Sequence, residues 1–119
     1  MSKSLVPVDI ATRDEYVAAI QDLQIRSMSP KAPVPQRLAL INRAQEMRAQ
    51  MIEIEAARFN ASSSKYQAAL QTLNKTIRDL RKDIKKIDDT IKVLDTAAKV
   101  FAAADKLLTE AMKHFPIIP

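Results

Sequence analysis

The chain has 119 residues, a net charge of +5 and no glycine, cysteine or tryptophan. Because glycine is the usual residue at positive φ, its absence disfavours Gly-rich phosphate loops and tight primed hairpins. The absence of cysteine excludes a disulfide framework, a thiolate metal site and a cysteine nucleophile. The length fits one domain, and residues 61–119 hold most of the positive charge, with eleven basic and seven acidic side chains.

The first predicted element is a short N-terminal helix over residues 12–27. Thr12 and Glu15 have the spacing of a capping box, with Thr12 as the N-cap residue. Three prolines within residues 29–35 then predict an extended linker, because the residue before each proline avoids the helical conformation. Residues 1–34 are therefore predicted to form a helix followed by a Pro-rich linker. The apolar face of the helix is formed by Tyr16, Val17, Ile20 and Leu23.

A middle helix is predicted over residues 36–60, with Pro35 well placed to open its first turn. Its apolar residues alternate steps of four and three, which is typical of a coiled-coil seam. Residues 60–64 include three consecutive serines, which compete with helical hydrogen bonding. We expect a turn there, and the alternative is one helix with a kink. The seam consists of Leu40, Ala44, Met47, Met51 and Ile54.

The strongest pattern predicts one long C-terminal helix over residues 65–115. Fifteen seam positions alternate steps of four and three without interruption, and only Asp105 among them is charged. Such a helix cannot bury its apolar side alone, so it needs a partner. The seam runs through Tyr66, Leu70, Leu73, Ile77, Leu80, Ile84, Ile87, Ile91, Leu94, Ala98, Phe101, Asp105, Leu108, Met112 and Phe115.

These elements predict an all-α fold, an elongated antiparallel coiled-coil hairpin or helical bundle. A parallel homodimer would bring Asp83 beside Asp88 of the second copy, whereas an antiparallel partner avoids that repulsion. We therefore expect the middle helix to fold back along residues 66–90, and the N-terminal helix to lie against residues 92–112. Residues 35–119 would then form a helical hairpin within one structural unit.

The second half of the long helix has an apolar surface wider than a two-helix seam. Its small and apolar residues indicate packing against two or more helices, from its own chain, a second copy or another protein. Asp105 at a seam position would pair with a cation, fix the register or face solvent. The residues that we expect to bind a partner, called here the apolar stripe, are Val93, Ala97, Val100, Phe101, Ala104, Leu107, Leu108 and Met112.

Basic side chains on the outer face of the long helix form a second candidate site. This basic ridge would follow the phosphates of a nucleic acid or the headgroups of an anionic membrane. The aromatic residues needed for base stacking are missing, so a solvated helix face is the favoured explanation. The ridge consists of Lys75, Arg78, Lys82, Lys85, Lys86 and Lys92.

The sequence contains no catalytic constellation, metal-ligand cluster or loop suited to a small-molecule substrate, so no enzyme activity, metal or cofactor is predicted. The expected function is that of a coiled-coil interaction or assembly protein: an adaptor, an inhibitor or a structural subunit. The alternative is a small basic helical protein that binds anionic membranes or nucleic acid, including a membrane-active toxin component. Since no secretory signal or transmembrane segment is apparent, a cytoplasmic location is expected, with signal-less secretion as the alternative.

Overall fold

The computed structural model describes residues 5–86 and 88–114, with side chains through residue 111. In this part of the chain the fold is all-α, as predicted, with four helices and one two-stranded antiparallel ribbon. In chain order the elements are β1 (Leu5–Val6), α1 (Ile10–Ser27), α2 (Val34–Ala56), β2 (Phe59–Asn60), α3 (Ser64–Lys86) and α4 (Thr90–His114).

The four helices form an elongated bundle with the order α1, α2, α4, α3 around its axis. The Thr12 hydroxyl contacts the Asn74 side chain at 2.9 Å, and Arg26 donates to the Ile84 carbonyl at 3.0 Å. Since both contacts progress toward the carboxyl ends of the two helices, α1 and α3 run parallel. The Cα trace measures 57 × 29 × 19 Å, so the molecule is nearly twice as long as it is wide.

Helix α2 packs against α1 and α4 instead of folding back along α3. This differs from the expectation that the middle helix would cover residues 66–90, and that α1 would cover residues 92–112. In the structure α1 lies along α3, and α3 is covered by α4. The prediction paired α2 with α3 because they are adjacent in the sequence. A hairpin between α3 and α4 buries the apolar face of α3 equally well.

The predicted single helix over residues 65–115 is wrong, because the chain leaves the helical conformation after Lys86 and resumes it at Thr90. The Asp89 carboxylate accepts hydrogen bonds from the amides of Ile91 at 3.0 Å and Lys92 at 3.4 Å. Asp89 therefore caps α4 by satisfying amides that have no partner within the helix. This break allows α4 to turn back along α3.

The buried seam of α4 lies one residue earlier than the predicted one. The predicted position Ile91 is exposed, as are Ala98 and Asp105, whereas Leu94, Phe101 and Leu108 are half-buried. The predicted seam continued the heptad spacing of α3 into α4 as if the helix were uninterrupted, but the break changes the register. A shift of one residue rotates the buried face by about 100° around the helix. The buried seam keeps steps of four and three through Val93, Ala97, Val100, Ala104, Leu107 and Ala111.

Helix α1 begins at Ile10, two residues before the predicted start, and Asp9 is its N-cap residue. The Asp9 carboxylate accepts from the Thr12 amide at 3.1 Å and from the Thr12 hydroxyl at 2.7 Å. The capping box predicted at Thr12 is therefore wrong, since Thr12 is a partner of the cap. The short ribbon, in which Leu5 pairs with Asn60, was not predicted either, because two-residue strands have no periodicity to detect.

The turn predicted at residues 60–64 is confirmed, since α2 ends at Ala56 and α3 begins at Ser64. Asn60 organises this turn, because its side-chain oxygen accepts from the amide of Ser62 at 3.0 Å and from its hydroxyl at 2.7 Å. The Ser63 hydroxyl then accepts from the Tyr66 amide at 3.2 Å, which satisfies an amide in the first turn of α3.

All four helices contribute to one hydrophobic core. The predicted seam of α2 is buried at every position, from Leu40 to Ile54. From α1, Tyr16, Ile20 and Leu23 enter the same core, so the N-terminal helix belongs to the folded unit of residues 35–119. Phe59 adds a buried ring from β2 that stacks on Tyr66 with centroids 4.7 Å apart.

Candidate functional site

The apolar stripe predicted to bind a partner lies mostly in the core of its own chain. Five of its residues are fully buried, and Phe101 and Leu108 are half-buried and packed against the core. The side chain of Met112 lies outside the described residues. The stripe was expected to pack on helices of its own chain, of a second copy or of another protein, and helices of its own chain account for this burial. The fully buried residues are Val93, Ala97, Val100, Ala104 and Leu107.

All six residues of the basic ridge are exposed. The structure brings four of them together in a concave surface between α1 and α3, which Arg81 and Glu15 complete. Lys75 and Lys92 do not line this surface, and Lys92 belongs to α4. The ridge residues on the concave surface are Arg78, Lys82, Lys85 and Lys86.

Arg81 fixes the geometry of this surface by joining α3 to α1. Its guanidinium donates to Glu15 at 2.8 Å and to Asp22 at 3.0 Å, and these bonds raise the pKa of Arg81 above its ordinary value. Each carboxylate is therefore already bound to a cation. Arg81 was not among the predicted ridge residues, although its i,i+3 spacing from Arg78 on the same helix would have indicated it.

The concave surface continues into an apolar part toward the carboxyl ends of α1 and α3. Ile25 and Ile84 line this part, together with Asp22 and Arg26 of α1 and Ser29 of the following linker. Lys85 lines both parts, so they adjoin. We call the two parts together the α1–α3 groove. It has cations along one stretch and two isoleucines at one end.

A second set of apolar side chains is exposed, mostly on α1 and α2, and was missed in the sequence. Of the nine large apolar side chains exposed in the described ranges, seven lie on α1, on α2 or at Met28 between them. On α2 they form a second stripe, separated from the buried seam of the same helix. Its spacing of four, three and eleven residues was visible in the sequence, but the stronger seam concealed it. This outer face of α2 consists of Val34, Leu38, Ile41 and Ile52.

A buried polar network joins α1, α2 and α4. The Tyr16 hydroxyl donates to the Gln50 side chain, which donates in turn to the Phe101 carbonyl and the Asp105 carboxylate, both at 2.9 Å. Burial, with the nearby Asp105 charge, raises the pKa of Tyr16 well above its ordinary value. Arg43 lies 4.9 Å above the centre of the Phe101 ring. Asp105 is thus exposed to solvent, which was one of the predicted alternatives, and its carboxylate also accepts a hydrogen bond from Gln50.

The described residues also bear on a metal site and on a membrane-spanning helix. No three His, Cys, Asp or Glu side chains among them lie close enough together to hold a metal ion. Within the same residues, none of the helices combines the length and apolar character needed to cross a membrane. The acidic pair Asp88 and Asp89 lies at the start of α4, where Asp89 serves as a helix cap.

The chain was compared with known proteins at three levels. No protein-family model matches it, and no similar curated protein or solved structure was found.

Proposed function

We propose that this chain is a non-enzymatic interaction protein that binds a protein partner through helix–helix contacts. The observation that carries the proposal is the exposed apolar outer face of α2. Leu38 is 54% exposed and Ile52 is 66% exposed, on a helix whose opposite side is already buried in the core. Large apolar side chains exposed along one face of a helix are typical of a binding site, because water solvates them poorly.

The arrangement of this surface favours a helical partner. Val34, Leu38 and Ile41 repeat at steps of four and three, as do the contact residues of paired helices. Met28, in the linker that leads into this part of α2, is exposed as well. A partner helix with its own apolar face would cover these residues and remove them from water.

The proposal is tested by replacing Leu38 and Ile52 together with glutamine. We expect a complex formed by the protein, with itself or with a partner in cell extract, to weaken by about tenfold or more, as for central interface residues. The native mass of the tagged protein, alone and in extract, is the measurement. Because both residues are exposed, circular dichroism and the Tm should not change. Ala98→Gln, an exposed position on α4, is the matched control. Complexes of unchanged mass in the double variant would contradict the proposal.

A second candidate function is binding to anionic membranes, which is part of the alternative expectation from the sequence. The exposure of the basic ridge favours it, together with exposed apolar residues near the same end of the bundle, such as Ile25 and Ile91. Sedimentation with phosphatidylserine vesicles over a salt series separates the two functions. A membrane-binding protein would sediment with the vesicles and dissociate as salt rises, whereas a protein-binding module would stay in solution.

A further inference from the structure

The α1–α3 groove holds more positive charge than its own acidic residues neutralise. Glu15 and Asp22 are both bound to Arg81. No carboxylate of the described residues lies within 4.0 Å of the cationic groups of Arg78, Lys82, Lys85 or Lys86. Four cations of the groove are thus free to interact with a negatively charged ligand.

The spacing of these cations on α3 is unfavourable in the free protein. Arg78 and Lys82 are four residues apart, as are Lys82 and Lys86, so their side chains are neighbours on the helix surface. Like charges at this spacing destabilise a helix, and a ligand with negative charge relieves that repulsion. Arg81, on the same helix, is instead paired with Glu15 and Asp22 of α1.

The isoleucines at the end of the groove narrow the choice of ligand. Ile25 is 67% exposed and lies with Ile84 beside the cations Arg26 and Lys85. A phosphate backbone gains nothing from an apolar contact, and no aromatic ring lines either part of the groove to stack on a base. An acidic peptide with one apolar side chain satisfies both parts.

We propose that the α1–α3 groove binds an acidic segment of a partner protein. The carboxylates of this segment face Arg78, Lys82 and Lys86, and one aliphatic side chain of the segment packs on Ile25 and Ile84. The proposal gives the chemistry of a partner and in that sense rests on the proposed function. It concerns a different surface from the outer face of α2, so the two are tested separately.

The test uses the full chain and a synthetic peptide of glutamate, alanine and one leucine, with about 15 residues for four helical turns. We expect saturable binding by fluorescence anisotropy, with an affinity that falls as salt rises. Lys82→Glu combined with Lys86→Glu should raise the Kd by about tenfold or more, and Ile25→Gln should raise it about fivefold. These residues are exposed, so the helical content of the variants should match that of the parent protein.

Matched controls separate a site from general charge attraction. Lys65→Glu with Lys106→Glu changes the net charge equally on another surface, between α3 and α4, and should leave the Kd within about twofold. A peptide with glutamine in place of leucine should bind about fivefold more weakly.

Several outcomes would overturn the proposal. An equal loss in both charge variants would show that the groove is not a site, and equal binding of the two peptides would remove the apolar contact. Tighter binding of a thymidine oligonucleotide or of phosphatidylserine vesicles than of the peptide would assign the groove to another ligand class. The variant with Leu38 and Ile52 replaced on the outer face of α2 should bind the peptide normally. Failure of the proposed function can therefore be distinguished from failure of the groove proposal.

Discussion

At the scale of single residues, Gln50 has a role that its position in the sequence does not reveal. It is 4% exposed and lies beside the α2 seam, between Met47 and Met51. Its amide connects the Tyr16 hydroxyl of α1 with the Asp105 carboxylate of α4. Buried polar groups are costly unless they are paired, so this network favours one alignment of the three helices over shifted ones.

The buried Tyr16 predicts a loss of stability at alkaline pH. Its folded-state pKa is raised above the ordinary value of 10.0 by burial first and by Asp105 second. The stabilisation by this neutral phenol is complete below pH 10. Above that pH the unfolded chain releases the proton and the folded chain keeps it, so the Tyr16 contribution to the free energy of unfolding falls by about 1.4 kcal/mol per pH unit until the folded-state pKa is reached.

Urea unfolding of Tyr16→Phe on both sides of pH 10 checks this prediction. The variant loses its hydrogen bond to Gln50 at every pH, so its stability is lower throughout. It lacks the ionisable phenol, so its stability should fall less steeply with pH than that of the parent protein. Tyr66→Phe provides the control for the less buried tyrosine. The pKa of Tyr66 is also raised, by burial first and by Asp9 second. Parallel pH profiles for the parent and Tyr16→Phe would contradict the assignment.

At the scale of elements, the break between α3 and α4 determines the architecture. An uninterrupted helix over residues 65–115 would extend about 75 Å, whereas the molecule measures 57 Å along its longest axis. The break lets α4 return along α3, where Thr96 donates to Asp83 at 2.7 Å. Two acidic residues and Thr90 mark this position in the sequence, but a continuous apolar pattern passes through it.

Asp89→Ala tests the importance of the cap at this break. The substitution removes the acceptor for the amides of Ile91 and Lys92. We expect the free energy of unfolding to fall by about 1 kcal/mol, as for other N-cap replacements. Asp88→Ala removes the same charge at the neighbouring exposed position and should change it by less than about 0.5 kcal/mol. Equal effects of the two substitutions in urea unfolding would show that charge, and not the cap, is responsible.

At the scale of the whole molecule, the bundle consists of two helical hairpins with different outer surfaces. The α1–α2 hairpin exposes apolar side chains such as Leu38 and Ile52, whereas α3 exposes basic ones. One core joins the hairpins, because α1 packs on α3 and α2 packs on α4. The molecule therefore offers an apolar surface and a basic groove in one fixed arrangement.

Removing residues 1–33 should abolish folding of the remaining chain. Helix α1 contributes Tyr16, Ile20 and Leu23 to the core, each worth about 1.5–3 kcal/mol of burial. Their loss is comparable with the whole stability of a small domain, about 5–15 kcal/mol. Circular dichroism of the fragment 34–119 should show reduced helicity and no cooperative thermal transition.

A peptide covering residues 5–33 provides the complementary experiment. Added to the fragment 34–119, it should restore cooperative unfolding, because the surfaces that α1 covers on α2 and α3 belong to the fragment. A fragment that unfolds cooperatively by itself with the Tm of the full chain would contradict the single core. It would favour residues 35–119 as an independent unit.

The sequence by itself determined the features that depend on near neighbours. The buried face of α2 from Leu40 to Ile54, the turn at residues 60–64 and the all-α class follow from helical spacing and turn-forming residues, which act over a few positions. The exposed positions of the basic ridge followed for the same reason. The apolar outer face of α2 was equally visible as a spacing, but spacing alone does not tell which of two faces the fold covers.

Only the tertiary structure decided which helix covers which face. An apolar stripe specifies that something must pack on it, and α1, α3 and a separate partner satisfy that requirement equally well in a sequence. The break between α3 and α4 reset the register of α4, so Val93 and Ala97 face the core where Leu94 and Ala98 were expected. Arg81 became part of a groove because Glu15 and Asp22 lie opposite it on α1, at least 59 residues away in the chain. Contacts between distant residues depend on the packing of whole helices, which local periodicity does not encode.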